Sequence, residues 1–252
     1  MANPTTTLRQ CILDPGVIFP CANLFAFLQS HDPLAITLAT LNVVISIGAS
    51  VFMEGDNRLL AHHPKRGRDL VIQFLADQLY SPLRITALFA LGAGCAAFIH
   101  NAPLPAMAGC AFGFGNWLAS SPTVGTLRNS SMFKTWMSIL VHPAIYYGIG
   151  YSMTGLMAGG GMAVLQHPEE NLAATLATGL GITTTTLSSL GLVTGLFNQA
   201  TPFWIVAGGS AINSVAGLLS GNLIGAINCV LSMLGELRLG AITKSSIAHQ
   251  AT

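Results

Sequence analysis

A histidine, several asparagines, a group of tyrosines and a run of threonines interrupt otherwise apolar sequence, and they are the residues here that could handle a polar solute or a proton. His142 precedes Pro143 in an uncharged stretch, and Tyr146, Tyr147 and Tyr151 follow it. An imidazole titrates near neutral pH, and an ionisable group within a membrane is by default a candidate functional site. Asn42, Asn116, Asn213 and Asn228 also sit in apolar runs. An amide in hydrocarbon must find a partner or cost several kcal/mol. His142, Asn116, Asn213, Asn228, Tyr146, Tyr147 and Thr184 can therefore line a solute path, with Trp117 as a stacking surface. Neutral amides and aromatics suit an uncharged, hydroxylated solute better than an ion. The plainer reading of the same amides is hydrogen bonding between helices. Thr183 to Thr186 can each bond back to a carbonyl one turn earlier.

Other chemistries lack their residues. The sequence has no nucleotide-binding loop, nucleophile elbow, HExxH or pair of carboxylates within an apolar run, so neither an enzyme nor a bound cofactor is expected. No metal site is expected either: His62 and His63 are adjacent, so on a helix they point apart. The five cysteines form no CxxC. Cys95, Cys110 and Cys229 read as small packing residues, whereas Cys11 and Cys21 flank a loop. A net charge of +1 offers no field for nucleic acid.

The elements that must carry these residues are membrane helices. Between Glu170 and Glu236 there is no Asp, Glu, Lys, Arg or His. The 252 residues are 52% hydrophobic and 8% charged, with mean hydropathy +0.62; a water-soluble domain carries roughly 25% charged residues. The expected class is an all-α polytopic bundle of about seven spans: 33–53, 82–100, 103–121, 133–158 kinked at Pro143, 172–196, and two more from 202 to about 240, with a break at Ser220-Gly221-Asn222. Residues 1–32 read as an extramembrane or interfacial segment, with 16–28 interfacial or re-entrant. Within the domain 33–242, residues 54–80 form a charged loop with an amphipathic helix, and 243–252 is a tail. Arg58, Lys65, Arg66 and Arg68, then Arg128 and Lys134, then Arg238 and Lys244 follow alternate spans. That asymmetry places the N-terminus outside and the C-terminus in the cytoplasm, of a bacterial inner membrane or an organelle. Glu236 and Arg238 then read as solvated charges at the cytoplasmic mouth of span seven, and the four basic residues after span one as contacts for a partner or lipid headgroups.

Spans one to three and five to seven form two three-helix sets with span four as linker. Their middle helices open on Ser81-Pro82 and Thr201-Pro202. This layout resembles that of the SWEET and PQ-loop sugar carriers, which implies parallel repeats about an axis along the membrane normal. The Pro-Gln pairs of that family are absent: Phe19-Pro20-Cys21, His142-Pro143-Ala144 and Thr201-Pro202-Phe203 stand instead. Gly209, Gly217, Gly221 and Gly225 recur at helical spacing, as do Gly109 and Gly113. Such faces allow close helix packing or oligomerisation. The scarcity of charge within the spans favours a non-catalytic subunit that packs in a larger membrane complex or homo-oligomer. The alternative is a carrier or channel for a small uncharged solute.

Overall fold

The computed structural model describes residues 14–52, 82–120, 139–158, 166–167 and 169–250. Arg58, Lys65, Arg66, Arg68 and the amphipathic helix expected in 54–80 lie outside these. The described residues are helical, with no strand: α1 Pro15–Leu28, α2 Pro33–Phe52, α3 Pro82–Ile99, α4 Pro103–Ser120, α5 Pro143–Ala158, α6 Leu172–Val193, α7 Thr201–Leu219 and α8 Leu223–Gln250. Three of them, Leu172–Val193, Thr201–Leu219 and Leu223–Ser245, are long and apolar enough to cross a membrane; others are shorter. Large apolar side chains such as Val44, Leu88, Leu176, Ile182 and Val215 point outward, while the interior is filled by alanines and a few aromatic rings. That inversion suits a bundle whose solvent is lipid.

Each helix touches its neighbour in sequence, and α8 closes the ring on α1. Inside the ring α1, α4, α5 and α8 pack on one another. Exchanging α1–α4 with α5–α8 maps these contacts onto themselves: α1·α3 becomes α5·α7, α1·α4 becomes α5·α8, and α4·α5 becomes α8·α1. The grouping is four plus four, not three-one-three. The segment Pro15–Leu28 supplies the missing member, with Phe19, Ala22, Ala26 and Phe27 buried against its neighbours.

Local geometry repeats with the topology. In α1 the Gly16 amide donates to the Asp14 carboxylate (2.9 Å), and in α5 the Ala144 amide donates to His142 Nδ1 (3.3 Å), each cap preceding a proline at the first helical position. Asp32 caps α2 through the Ala35 amide, and Asn171 caps α6 through Ala174. The α3–α4 and α7–α8 turns are equivalent bond for bond. Asn101 and Gly221 adopt positive φ (62° and 74°), and the next amides, Ala102 and Asn222, reach back to the Ala97 and Gly217 carbonyls at 2.8 Å. An asparagine or a glycine tolerates that left-handed conformation.

At the centre the fifth residues of α1 and α5, Phe19 and Tyr147, stack with centroids 4.2 Å apart and planes 11° apart. The thirteenth residues of α4 and α8 are both glycine, because each meets the opposite ring: a Cβ on Gly115 lies 2.7 Å from Tyr147, and one on Gly235 lies 2.7 Å from Phe19. An approximate two-fold axis thus passes through this ring pair.

Two element boundaries differ from the sequence reading. The span expected from 133 to 158 does not run through a kink; the chain turns at Val141–His142 and a new helix starts at Pro143. Proline has no N–H for the preceding turn and disfavours helical backbone in the residue before it. The last helix does not end near Gly240 but continues to Gln250.

Candidate functional site

Two carboxylates are buried among the described residues, Asp32 at the start of α2 and Glu236 within α8. Glu236 is fully buried on α8, not solvated at a helix mouth. Arg238, two residues on, is exposed. Positions two apart on a helix face nearly opposite ways, so one turn carries both a core acid and a surface base. Ser210 Oγ of α7 lies 3.1 Å from Glu236 Oε2 and also donates to the Val206 carbonyl at 2.9 Å. The Tyr151 hydroxyl of α5 faces Glu236, Ser210 and Ser232. Among the described residues Glu236 Oε1, Tyr151 Oη and Ser232 Oγ make no hydrogen bond. Four polar side chains from three helices thus converge beside the buried Cys229 thiol. An unpaired neutral oxygen there costs about 1–3 kcal/mol, and an unpaired carboxylate several, so a stable bundle keeps such a group only where something offsets it.

The residues expected to line a path do not converge on one surface. Asn116, Tyr147 and Asn228 lie on the inner helices, buried. Asn116 is the fourteenth residue of α4, the counterpart of Glu236 in α8. The Asn228 amide donates to the Ala22 carbonyl across α1 and α8. Asn213 is buried on α7 with no partner for either amide atom among the described residues. Trp117 and Tyr146 group elsewhere, both packed on Phe114 (5.1 and 4.7 Å between centroids), with the Tyr146 hydroxyl donating to the Leu140 carbonyl. Thr184 sits between α6 and α7, bonded to the Leu180 carbonyl, its methyl against Gly209. Its neighbours Thr183, Thr185 and Thr186 likewise bond one turn back.

His142 is buried at the start of α5 with both ring nitrogens engaged. The Ala144 amide can only donate and the Gln199 carbonyl only accept (3.0 Å). Nδ1 therefore accepts and Nε2 carries the hydrogen. The ring ties α5 to the α6–α7 loop.

The glycines face inward or turn the chain. Gly109 receives the Phe27 ring, Gly113 lies against Ala90, Gly209 against Thr184 and Gly217 against Ala226, while Gly221 makes the left-handed turn and Gly225 lies beside Asn222. A cavity of about 670 Å³ opens at one end of the bundle, where Gln29, His31, Asn101 and Asn222 from the turns of both halves meet Met157 of α5. Asn222 donates to Gln29 across it (2.8 Å). Glu236 lies about 20 Å from the Leu223 end of α8, at 1.5 Å per residue.

Sequence reasoning missed Glu236, Ser210, Ser232 and the role of Tyr151. The available signal was the register between the two hairpins. Aligning Ser81-Pro82 with Thr201-Pro202 pairs Gly115 with Gly235 and Asn116 with Glu236 without a gap, which places Glu236 deep in a helix. No protein-family model matches this chain, and no curated protein or solved structure matches it either.

Proposed function

We propose that this protein is a membrane carrier that passes a small uncharged solute between its two four-helix halves. The observation that carries this reading is the exchange symmetry of the ring, with a carboxyl and three hydroxyls held at the contact between inner helices. Parallel repeats of four helices bring both halves in from the same side, and rocking of such halves about a shared axis is a recurring means of alternating access. The 670 Å³ cavity on that axis is the entrance. The Phe19–Tyr147 stack closes the route beyond it. Orientation in this reading keeps the C-terminus in the cytoplasm. The test is reconstitution into liposomes and stopped-flow light scattering with glycerol, erythritol, xylitol and sorbitol. Faster re-swelling than in empty liposomes for at least one polyol is expected; rates equal to the empty control for all four reject the carrier.

A second reading, a non-catalytic subunit of a larger membrane complex, draws on the tight interior. Added Cβ atoms at Gly109, Gly115, Gly150, Gly155 and Gly235 all fall under 3.0 Å from a neighbour. A solid body needs no path. Recovery of a second polypeptide at fixed stoichiometry through detergent purification supports this reading, and recovery of the chain alone rejects it.

A further inference from the structure

We propose that Glu236 is a proton-exchange site, whose carboxyl takes up and releases a proton with Ser210, Ser232 and Tyr151 as its hydrogen-bonding partners. This deepens the carrier reading and rests on it for its place in transport.

The argument is a count of hydrogens. A serine hydroxyl has one. The Ser210 hydroxyl is within donating distance of both the Val206 carbonyl at 2.9 Å and Glu236 Oε2 at 3.1 Å, so its one hydrogen can serve only one of them fully, and a hydrogen from the carboxyl side completes the other arrangement. A carboxyl supplies one only when protonated. With the Ser210 hydrogen on Val206, a proton on Glu236 closes the arrangement by donation to Ser210 Oγ; with that hydrogen on Oε2, the same contact holds the carboxylate. The same groups also serve the empty state. On release the carboxyl O–H bond breaks, its electron pair stays on the carboxylate, and the proton passes to water entering between the halves. The Ser210 hydrogen then swings from Val206 to Oε2, while Val206 keeps its helical N–H bond. Ser232 and Tyr151, whose oxygens have no partner among the described residues, supply two more donors to Oε1.

Among the described helices packed against α8, no fixed charge competes. The helices packed on α8, which are α1, α5 and α7, carry no Asp, Glu, Lys, Arg or His within 15–28, 143–158 and 201–219. Their titratable side chains are Cys21 of α1 and Tyr146, Tyr147 and Tyr151 of α5; α8 itself carries Cys229, the exposed Arg238 and Lys244, and His249. With no basic partner in these helices, the small ion that neutralises Glu236 must come and go through the bundle. The Asn116 position of the first half, with Phe112 and Ala90 in place of Ser232 and Ser210, offers no such set.

Infrared spectroscopy of the full chain in liposomes reads the carboxyl directly. The expected result is a protonated-carboxyl carbonyl band that is missing in Glu236→Gln, shifts in heavy water, and fades reversibly as the pH is raised. Ser210→Ala and Tyr151→Phe each remove a donor to the carboxylate. In each the fading moves to more alkaline pH, by about one unit, or tenfold in proton affinity. These variants keep the test decisive if Glu236→Gln fails to fold. A band that neither titrates nor shifts in heavy water overturns the proposal, even where polyol flux persists. A band that disappears when sodium replaces choline at constant pH also overturns it, assigning the site to a metal cation. Titration of the band in a protein that accelerates no polyol upholds the proton site while rejecting the carrier.

Discussion

The two halves share a backbone plan and differ in what they bury. With the α3–α4 hairpin laid on the α7–α8 hairpin, Ala90, Ala93, Gly94, Ala108 and Phe112 stand where Ser210, Asn213, Ser214, Asn228 and Ser232 stand in the second half. The first half packs Phe27 into an alanine-lined core with Ala35, Ala39, Ala93 and Ala97. The second packs hydroxyls, most of them bonded one turn back along their own helix, as Thr178, Thr184 and Ser210 are. Such hydroxyls cost little in lipid because their partner is built in. They also stay within hydrogen-bonding reach of a neighbour, as Ser210 Oγ does of Glu236 Oε2. The lesson is that a doubled scaffold can keep one copy as a packing frame while the other accumulates polar groups. The caps, turns and central glycines that define the shape stay the same in both.

The largest expected effect comes from moving the acid between halves. Asn116→Glu places a carboxyl opposite Phe112 and Ala90, without hydroxyl partners, and should cost on the order of 3 kcal/mol in a reversible denaturation in mixed micelles. Glu236→Gln keeps the volume, so it should cost less than about 1.5 kcal/mol. Equal losses from the two changes would remove the distinction between the halves. Next come the paired central glycines. Gly115→Ala and Gly235→Ala each press a methyl into a stacked ring, at about 1–3 kcal/mol for overpacking, and the two costs should match. One tolerated and the other not would break the two-fold relation at its axis.

Much of this plan was legible in the sequence, and the part that was not has a physical cause. The absence of charge between Glu170 and Glu236 selects membrane helices, and Ser220-Gly221-Asn222 marks the α7–α8 turn. Pro15–Leu28 was hidden because 14 residues, about 21 Å of helix, are too short to span a bilayer core of about 30 Å. With α1 uncounted, the eight described helices read as seven spans and the repeat unit as three. The patterns Leu34-Ala-x-Thr-Leu-Ala-Thr40 and Leu172-Ala-x-Thr-Leu-Ala-Thr178 differ only at Ile36 and Ala174, and they open the second helix of each half. The site was hidden for another reason. A lone glutamate two residues from an arginine has the composition of a helix end, and only the facing helices show which of the pair turns inward.

A smaller effect separates the halves by acid. Burial pushes the Asp32 carboxyl up, but the Ala35 and Leu34 amides and His100 outweigh it and hold it below the ordinary value. A group whose folded value is depressed stabilises the protein fully above its unfolded value, about pH 4, and loses that contribution as pH falls through the folded value. Asn171, which caps α6, does not titrate. Below about pH 4, the protection of the Ala35 amide, relative to its intrinsic exchange rate at that pH, should therefore fall while that of Ala174 stays unchanged. Equal acceleration at both caps would show that the Asp32 carboxylate is not what holds α2.

The smallest expected effect bears most directly on function. Gly208 lies on α7 with nothing within 4 Å of an added Cβ, and its counterpart Leu88 is 65% exposed. If this face meets lipid, Gly208→Leu turns it into its first-half equivalent, removes a flexible residue from a helix interior and gains up to about 1 kcal/mol. If the face docks another subunit, the same leucine occupies space the partner needs. Thermal stability of the isolated chain then still rises, but any co-purifying polypeptide is lost. A gain in stability with unchanged composition assigns the α7 face to the bilayer. It also removes the main surface through which a hydroxyl-rich second half could owe its polarity to a neighbour rather than to its own carboxyl.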